Sequence, residues 1–197
     1  MKISIATPTV TPTRSPRAAG RTLWPSAVVL LGLSMAPGPG WAQPTPPAAT
    51  AVAEVRALLA RGDASAALPL AERLSKASPD DAQLAFLHAV VLMDLRRDGD
   101  AMLGFVRLNE LYPELPEPLN NIGLLHARAG RLDAARQALE SALRNAPEHR
   151  AARLNLGEVY LMLAVQAWEQ VAAAAPLAAL QLQRLQAARS LLPAVNR

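Results

Sequence analysis

The residues of this chain that could perform chemistry are three histidines, His88, His126 and His149, and a set of dispersed carboxylates. An enzyme needs titratable groups that converge on one point, and a helical metal site needs ligands three or four residues apart. No His-x-x-x-His or Glu-x-x-His spacing occurs, and no serine lies in a Gly-x-Ser-x-Gly motif. The sequence therefore predicts a protein that is not an enzyme and that uses no cofactor or metal.

The segments that carry these residues repeat with a period of 34 residues. Residues 117–147 read as two amphipathic helices, with Gly130 placed to close the first helix and Pro147 to stop the second. Shifting this window by 34 residues aligns proline with proline, alanine with alanine, leucine with phenylalanine and then alanine, and glycine with arginine and then glycine. The aligned sets are Pro147, Pro113 and Pro79; Ala135, Ala101 and Ala67; Leu139, Phe105 and Ala71; and Gly130, Arg96 and Gly62.

A period of 34 with a small-residue position, an aromatic-or-leucine position and a terminal proline is similar to the tetratricopeptide repeat (TPR) family, over about residues 48–192. The resemblance implies an all-α TPR-type solenoid of antiparallel helical hairpins. Within a domain at 50–192, we expect three full repeats, a shortened fourth repeat and a capping helix. Their approximate ranges are 48–81, 82–115, 116–149, 150–176 and 177–192. In repeat two, residues 96–99 are expected to form the turn, so that the second helix begins at Asp100.

The fourth repeat loses its register after Tyr160. Asn155 and Gly157 match Asn121 and Gly123, but the segment from Trp168 to Pro176 comes five residues early, and the missing residues are those of the turn. We therefore predict one continuous helix from Ala151 to Ala175, the alternative being a reversal near Ala164. In the capping helix, we expect an inward apolar face and a polar outer face. The inward set is Leu177, Leu180, Leu185 and Ala188, and the outer set is Gln181, Arg184 and Arg189.

By resemblance to the family, the first helix of each repeat lines a concave groove that binds a peptide. The groove candidates in this sequence are Phe86, Val90, Met93, Asn120, Asn121, Leu124, Arg128, Asn155, Glu158 and Met162. The apolar members suit an extended or helical segment, with Asn121 and Asn155 bonding its backbone. Two alternatives stay open: the asparagines bond within their own repeat, and Phe86 belongs to the core. Val52, Leu87 and Glu117 occupy positions where a carboxylate-binding groove would need lysine or arginine.

The amino-terminal segment differs from the rest of the chain. Residues 1–42 contain four basic residues and no acid, a 14-residue apolar stretch from Leu23 to Ala36, and small residues at Gly40 and Ala42. This pattern predicts a secretory signal peptide at 1–42, cleaved after Ala42. The apolar stretch is shorter than the ~20 residues that span a bilayer, so we expect no membrane span after cleavage. A proline-rich linker is expected at 43–49.

Composition and charge restrict the possible partners. The chain has no cysteine, which excludes disulfides and thiolate metal sites. Without residues 1–42 it carries equal numbers of basic and acidic residues, so nucleic-acid binding is not expected. The sequence thus predicts a periplasmic adaptor, monomeric or a weak homo-oligomer, that binds a protein or peptide segment of the cell envelope. Two alternatives are a structural subunit of an envelope, pilus, secretion or cell-wall assembly that uses its convex face or terminal helix, and a tethered form that retains its signal.

Overall fold

The computed structural model of the protein describes residues 46–192, which form eight α-helices and no strand. The expected signal peptide at 1–42 and residues 43–45 of the expected linker lie outside this range. The helices are α1 (Pro46–Ala60), α2 (Ala64–Ala77), α3 (Ala82–Asp94), α4 (Asp98–Leu111), α5 (Pro116–Arg128), α6 (Leu132–Asn145), α7 (Arg150–Ala174) and α8 (Ala179–Leu191).

The first helix begins earlier than the sequence predicts. Residues 46–49, assigned to the linker, form the first turn of α1. Two prolines begin this turn and alanines follow them, and proline is favoured in the first turn because its missing N–H would have no partner there. The helical array therefore starts at Pro46.

Short turns join the two helices of each of the first three repeats. Gly62 and Gly130 adopt the left-handed backbone conformation, with φ values of 75° and 72°. In repeat two the equivalent residue is Arg96, with a φ of 61°, and Gly99 lies inside α4 rather than in the turn. The expectation that the helix begins at Asp100 is therefore wrong by two residues, because the 34-residue register and not the nearest glycine places the turn.

The small-residue and large-residue positions meet in the core. Ala67, Ala101 and Ala135 have no exposed surface, so the two helices of each hairpin approach closely there. Phe105 and Leu139 are also fully buried. Truncation of either large side chain to alanine should cost roughly 2–5 kcal/mol.

Adjacent hairpins stack side by side. The first helices of repeats one and two, α1 and α3, contact each other, as do α5 and α7. No pair of second helices within residues 46–192 reaches the same extent of contact. We call the side lined by the first helices, α1, α3, α5 and α7, the inner face. The opposite side is the outer face.

The fourth repeat is one continuous helix, as its missing turn predicts. The 25 residues of α7 extend about 37 Å at 1.5 Å per residue. Its first half packs on α5 and α6, and its second half packs on α8. In α8, Leu185 and Ala188 are buried and Leu177 just before it is half-buried, as expected. The inward position of Leu180 is wrong, because this side chain is 58% exposed.

Candidate protein-binding site

The apolar groove candidates of repeat two lie in the core. Phe86, Val90 and Met93 are each 5% exposed or less. The ring of Phe86 packs against that of Phe105, with 5.5 Å between the ring centroids. These side chains support the inner face from beneath, and their contact with a partner stays a prediction.

All three asparagines bond to other residues of the array. Asn121 bonds within its own repeat, which is the alternative that the sequence left open, whereas the bond between Asn155 and Asn120 joins two repeats and was not predicted. Asn155 Nδ2 donates to Asn120 Oδ1 over 2.9 Å and so joins α7 to α5. Asn121 Nδ2 donates to the backbone carbonyl of Glu117 over 3.0 Å. All three asparagines are buried. The bond between Asn155 and Asn120 holds α7 against α5 along an interface that we call the seam, and a bound backbone could reach this pair only after the seam opens.

Two acceptor atoms in the same seam lack partners. Asn121 Oδ1 and Glu117 Oε2 are buried without a hydrogen bond among the described residues. Each retains a lone pair that could accept an N–H of a bound segment or an ordered water. The seam between α5 and α7 could therefore accept hydrogen bonds from two more donors.

Glu117 faces His149 across this seam. His149 Nε2 lies 3.7 Å from Glu117 Oε1, while His149 Nδ1 accepts the backbone N–H of Ala152 and caps α7. Burial raises the pKa of Glu117 and lowers the pKa of His149. Both effects favour the neutral form of each group, so the contact gains little from charge attraction.

Arg128 is the inner-face cation, and its charge is already engaged. Its Nη1 lies 2.7 Å from Asp98 Oδ1 and donates to the backbone carbonyl of Met93 over 3.2 Å. Burial lowers the pKa of Arg128, and the charge of Asp98 opposes that shift. The side chain therefore ties α5 to the turn of repeat two. This role was not predicted from the sequence, although Arg128 and Asp98 lie close to one repeat apart.

A smaller set of candidates remains accessible on the inner face. Leu124, Glu158 and Met162 are half-buried. Glu158 is the repeat-four equivalent of Leu124, and Met162 lies one helical turn beyond Glu158. We call these three residues the inner patch. It offers two apolar contacts and one carboxylate on adjacent helices.

The outer face carries a groove that was not predicted from the sequence. It has a volume of about 510 Å³ and lies among α2, α3 and α4. Its floor contains Ala85 and Gly104, and Leu103 and Leu111 on its rim are 70% and 59% exposed. The repeat register could have indicated this groove, because the residues one repeat after Ala85 and Gly104 are Leu119 and Ala138, which have larger side chains.

His88 lines this outer groove. Its Nε2 is buried without a hydrogen-bond partner among the described residues. Burial lowers its pKa, and nearby Arg97 and Lys76 lower it further while Glu72 raises it. A neutral imidazole with a free ring nitrogen can hydrogen-bond one polar group of an occupant.

Residues 46–192 contain neither a candidate metal site nor a candidate membrane span. No cluster of three or more histidine, aspartate or glutamate side chains in this range could hold a metal ion. None of the helices here combines the length and the apolar character that crossing a bilayer requires.

Comparison with known proteins identifies the fold. The tetratricopeptide repeat family matches residues 52–113 and 120–176, which is more than half of the chain. The protein therefore belongs to the tetratricopeptide repeat family, whose fold is typical of non-catalytic protein–protein interaction modules.

Two solved structures share the fold. One is the first TPR domain of the human RPAP3 protein, determined by NMR, with 17% sequence identity, a TM-score of 0.54, and coverage of 59% of this chain and 92% of that chain. The other is the first TPR of Spaghetti (RPAP3) bound to the HSP90 peptide SRMEEVD. It has 17% identity, a TM-score of 0.53, and coverage of 59% of this chain and 93% of that one.

Proposed function

We propose that this protein is a periplasmic TPR adaptor that binds a segment of a cell-envelope protein on its inner face. The observation that carries the proposal is the inner patch. Leu124, Glu158 and Met162 are accessible on adjacent helices of this face. A structural neighbour in the same family binds a peptide, which supports the same kind of ligand here.

The chemistry of the inner face favours a segment with apolar anchors over an acidic carboxyl terminus. The neighbour's peptide, SRMEEVD, is acidic. In this chain Val52, Leu87 and Glu117 occupy the positions where a carboxylate-binding groove would need cations, and all three are buried. Arg128 is held by Asp98. We infer a helical or extended ligand that places one or two apolar side chains on Leu124 and Met162 and a basic group beside Glu158.

The proposed site can be tested by cross-linking in cells that produce the protein naturally. A photoreactive amino acid at position 124 or 162 reports contacts of the inner face, and the same amino acid at position 103 reports contacts of the outer face. We expect one partner to cross-link from 124 and 162 and not from 103. A peptide of the cross-linked segment should then bind the purified protein and lose affinity about tenfold for Met162→Asp, as expected when an apolar anchor worth roughly 1.4 kcal/mol is removed. Equal binding by this variant would contradict the proposal.

The location is tested by the amino terminus of the natural protein. Export through a cleaved signal predicts a chain that starts at Gln43, and mass spectrometry of the purified native protein measures this directly. A chain that retains residues 1–42 would support the tethered form instead.

The outer groove favours a second candidate function, that of a structural subunit in an envelope assembly. The lining combines small residues, an exposed leucine rim and five charged side chains. Its apolar part suits an apolar side chain of another subunit, and its charged side chains could pair with polar groups around that side chain. In the same cross-linking experiment, contacts from position 103 alone would select this function. The variants Leu103→Asp and Leu111→Asp should then abolish incorporation while Met162→Asp has no effect.

A further inference from the structure

The carboxyl-terminal hairpin differs from the rest of the array in its packing. The second half of α7 contacts α8 through a small cluster centred on Val165, Leu185 and Ala188. On one flank of this hairpin, Arg189 Nη2 lies 2.6 Å from Glu169 Oε1. Because the fourth repeat has no separate second helix, nothing in residues 46–192 packs beyond α8.

The opposite flank of the hairpin is apolar. Leu180, Arg184, Ala187 and Leu191 follow one another at intervals of four, three and four residues, so they lie on one face of α8. Leu191 is two residues from Arg189, which places it nearly on the other side of the helix from the ion pair. Leu180 and Leu191 are 58% and 73% exposed. We call these four residues the α8 stripe.

Helix α7 extends this apolar surface. Val171 lies two residues beyond Glu169 and is 54% exposed on the same flank as the α8 stripe. Ala167, one turn earlier, is also exposed. Residues 161–192 contain only three charged side chains, of which Glu169 and Arg189 pair with each other. Arg184 is therefore the one charge on a flank that otherwise offers apolar contacts.

We propose that the α8 stripe binds the α8 stripe of a second copy of this chain, antiparallel about a two-fold axis. The spacing of the stripe is symmetric about its midpoint. In this arrangement Leu180 meets the partner's Leu191 at each end, and Arg184 meets the partner's Ala187 near the centre. The small alanine leaves room for the aliphatic stem of Arg184, and its guanidinium reaches solvent at the edge. A surface that complements itself is what a two-fold interface requires.

The area of this apolar flank determines how tightly two copies should bind. The stretch of α8 is about 20 Å long and each helix is about 10 Å wide. Together with the strip of α7, the flank presents an area of roughly 400 Å² in projection. This area is below the ~800 Å² per partner of a stable interface and resembles the apolar patches that mark interaction sites. We therefore expect a weak dimer that forms at micromolar concentrations.

Sedimentation equilibrium of the purified protein over a range of concentrations tests the dimer. The wild type should approach twice the monomer mass, and the variant with both Leu180→Asp and Leu191→Asp should stay monomeric. Leu182→Asp is the matched control, because Leu182 is 46% exposed on the flank of α8 that carries Arg189. A wild type that is monomeric throughout, or a Leu182 variant that dissociates equally, would overturn the proposal.

The antiparallel register has its own test, which the cysteine-free sequence makes possible. Chains with Leu180→Cys and chains with Leu191→Cys should form a disulfide-linked dimer when they are mixed and oxidised, and much less when either is oxidised alone. Mixing chains with Leu182→Cys provides the background. Circular dichroism should show the same helix content in every variant, and cross-linking no greater than this background would contradict the register.

Discussion

The side-chain amide of Asn155 on α7 donates to that of Asn120 on α5, with 2.9 Å between Nδ2 and Oδ1, and both residues are buried. The bond joins consecutive repeats. A buried amide that loses its partner pays its full desolvation cost, roughly 1–3 kcal/mol. The pair therefore makes the alignment of α5 and α7 specific.

Removing both members of this pair should destabilise the protein by less than the sum of the two single substitutions. We expect Asn155→Ala to lower the free energy of unfolding by about 1–3 kcal/mol, since Asn120 is left unpartnered. The double variant Asn120→Ala/Asn155→Ala should be less destabilised than the sum of the single variants, by about 0.5–3 kcal/mol. Urea denaturation of the four proteins measures this coupling. Gln137→Ala, on the exposed surface of α6, controls for the general effect of alanine, and strictly additive effects would contradict the bond.

Gly123 is required by the close approach of α5 to α6. A Cβ at this residue would lie 2.6 Å from Leu139 Cγ and 3.3 Å from the carbonyl oxygen of Ala135. Leu139 is fully buried, so it has no free space into which to move. We expect Gly123→Ala to lower the free energy of unfolding by roughly 1–3 kcal/mol through overpacking.

The chain provides a matched control for this substitution. Gly157 is the equivalent residue one repeat later, also within a helix, and a Cβ there would contact nothing within 4 Å. Gly157→Ala should raise the free energy of unfolding by up to about 1 kcal/mol, because alanine restricts the unfolded chain. Opposite signs for the two variants in urea denaturation are the expected result. Equal signs would show that the approach of α5 to α6 adapts to the added methyl.

Arg96 stores backbone strain in the turn of repeat two. Its φ of 61° is the conformation that Gly62 and Gly130 adopt in the neighbouring repeats. This left-handed conformation costs a residue with a Cβ roughly 1–2 kcal/mol. Arg96→Gly should therefore raise the free energy of unfolding, by up to about 1 kcal/mol after the greater flexibility of glycine in the unfolded state is subtracted. Thermal denaturation measures this gain, and Gly130→Ala should show the reverse effect. A loss of stability in Arg96→Gly would indicate that the Arg96 side chain makes compensating contacts.

The sequence was sufficient for the fold because the information is periodic. The same alanine, large apolar and proline positions recur every 34 residues, and a single hairpin must stack with its neighbours to bury them. The continuous α7 followed from the same register, since the residues of one turn are missing. The prediction for the turn in repeat two is wrong because it extends the turn to a nearby glycine, whereas the 34-residue register places the turn earlier.

The site was harder to predict because it depends on which way side chains point between repeats. Asparagine at 120, 121 or 155 can bond a ligand or a neighbouring helix, and the choice depends on an interhelical distance that no single repeat determines. Phe86 lies at a position that faces the groove in the family, yet here it is buried and packs against Phe105. Leu180 was placed inward because it is apolar, although it is about 140° around the helix from Leu185. Local pattern therefore identifies an apolar residue but not which surface covers it.

Acidification should destabilise the protein through its histidines. Burial is the largest cause of a lowered pKa at His149, His88 and His126 alike. Below the ordinary histidine pKa of 6.5, the folded protein therefore binds fewer protons than the unfolded chain. The free energy of unfolding is then highest above pH 6.5 and decreases as the pH falls through the lowered histidine pKa values. Glu117 acts in the opposite direction. Its raised pKa gives stability at low pH that is lost as the pH rises from 4.5 through the raised value.

His149 offers the sharpest test of this pH dependence, because its Nδ1 accepts the N–H of Ala152 and a proton on that atom breaks the cap of α7. His149→Asn retains a capping acceptor and removes the titration. We expect the loss of unfolding free energy between pH 7 and pH 5 to be smaller in this variant than in the wild type, as measured by urea denaturation at both pH values. His149→Ala should instead be destabilised by about 1 kcal/mol at pH 7, since it has no cap. If the asparagine variant kept the full pH dependence of the wild type, His88 and His126 would account for it and protonation of His149 would not control the stability of α7.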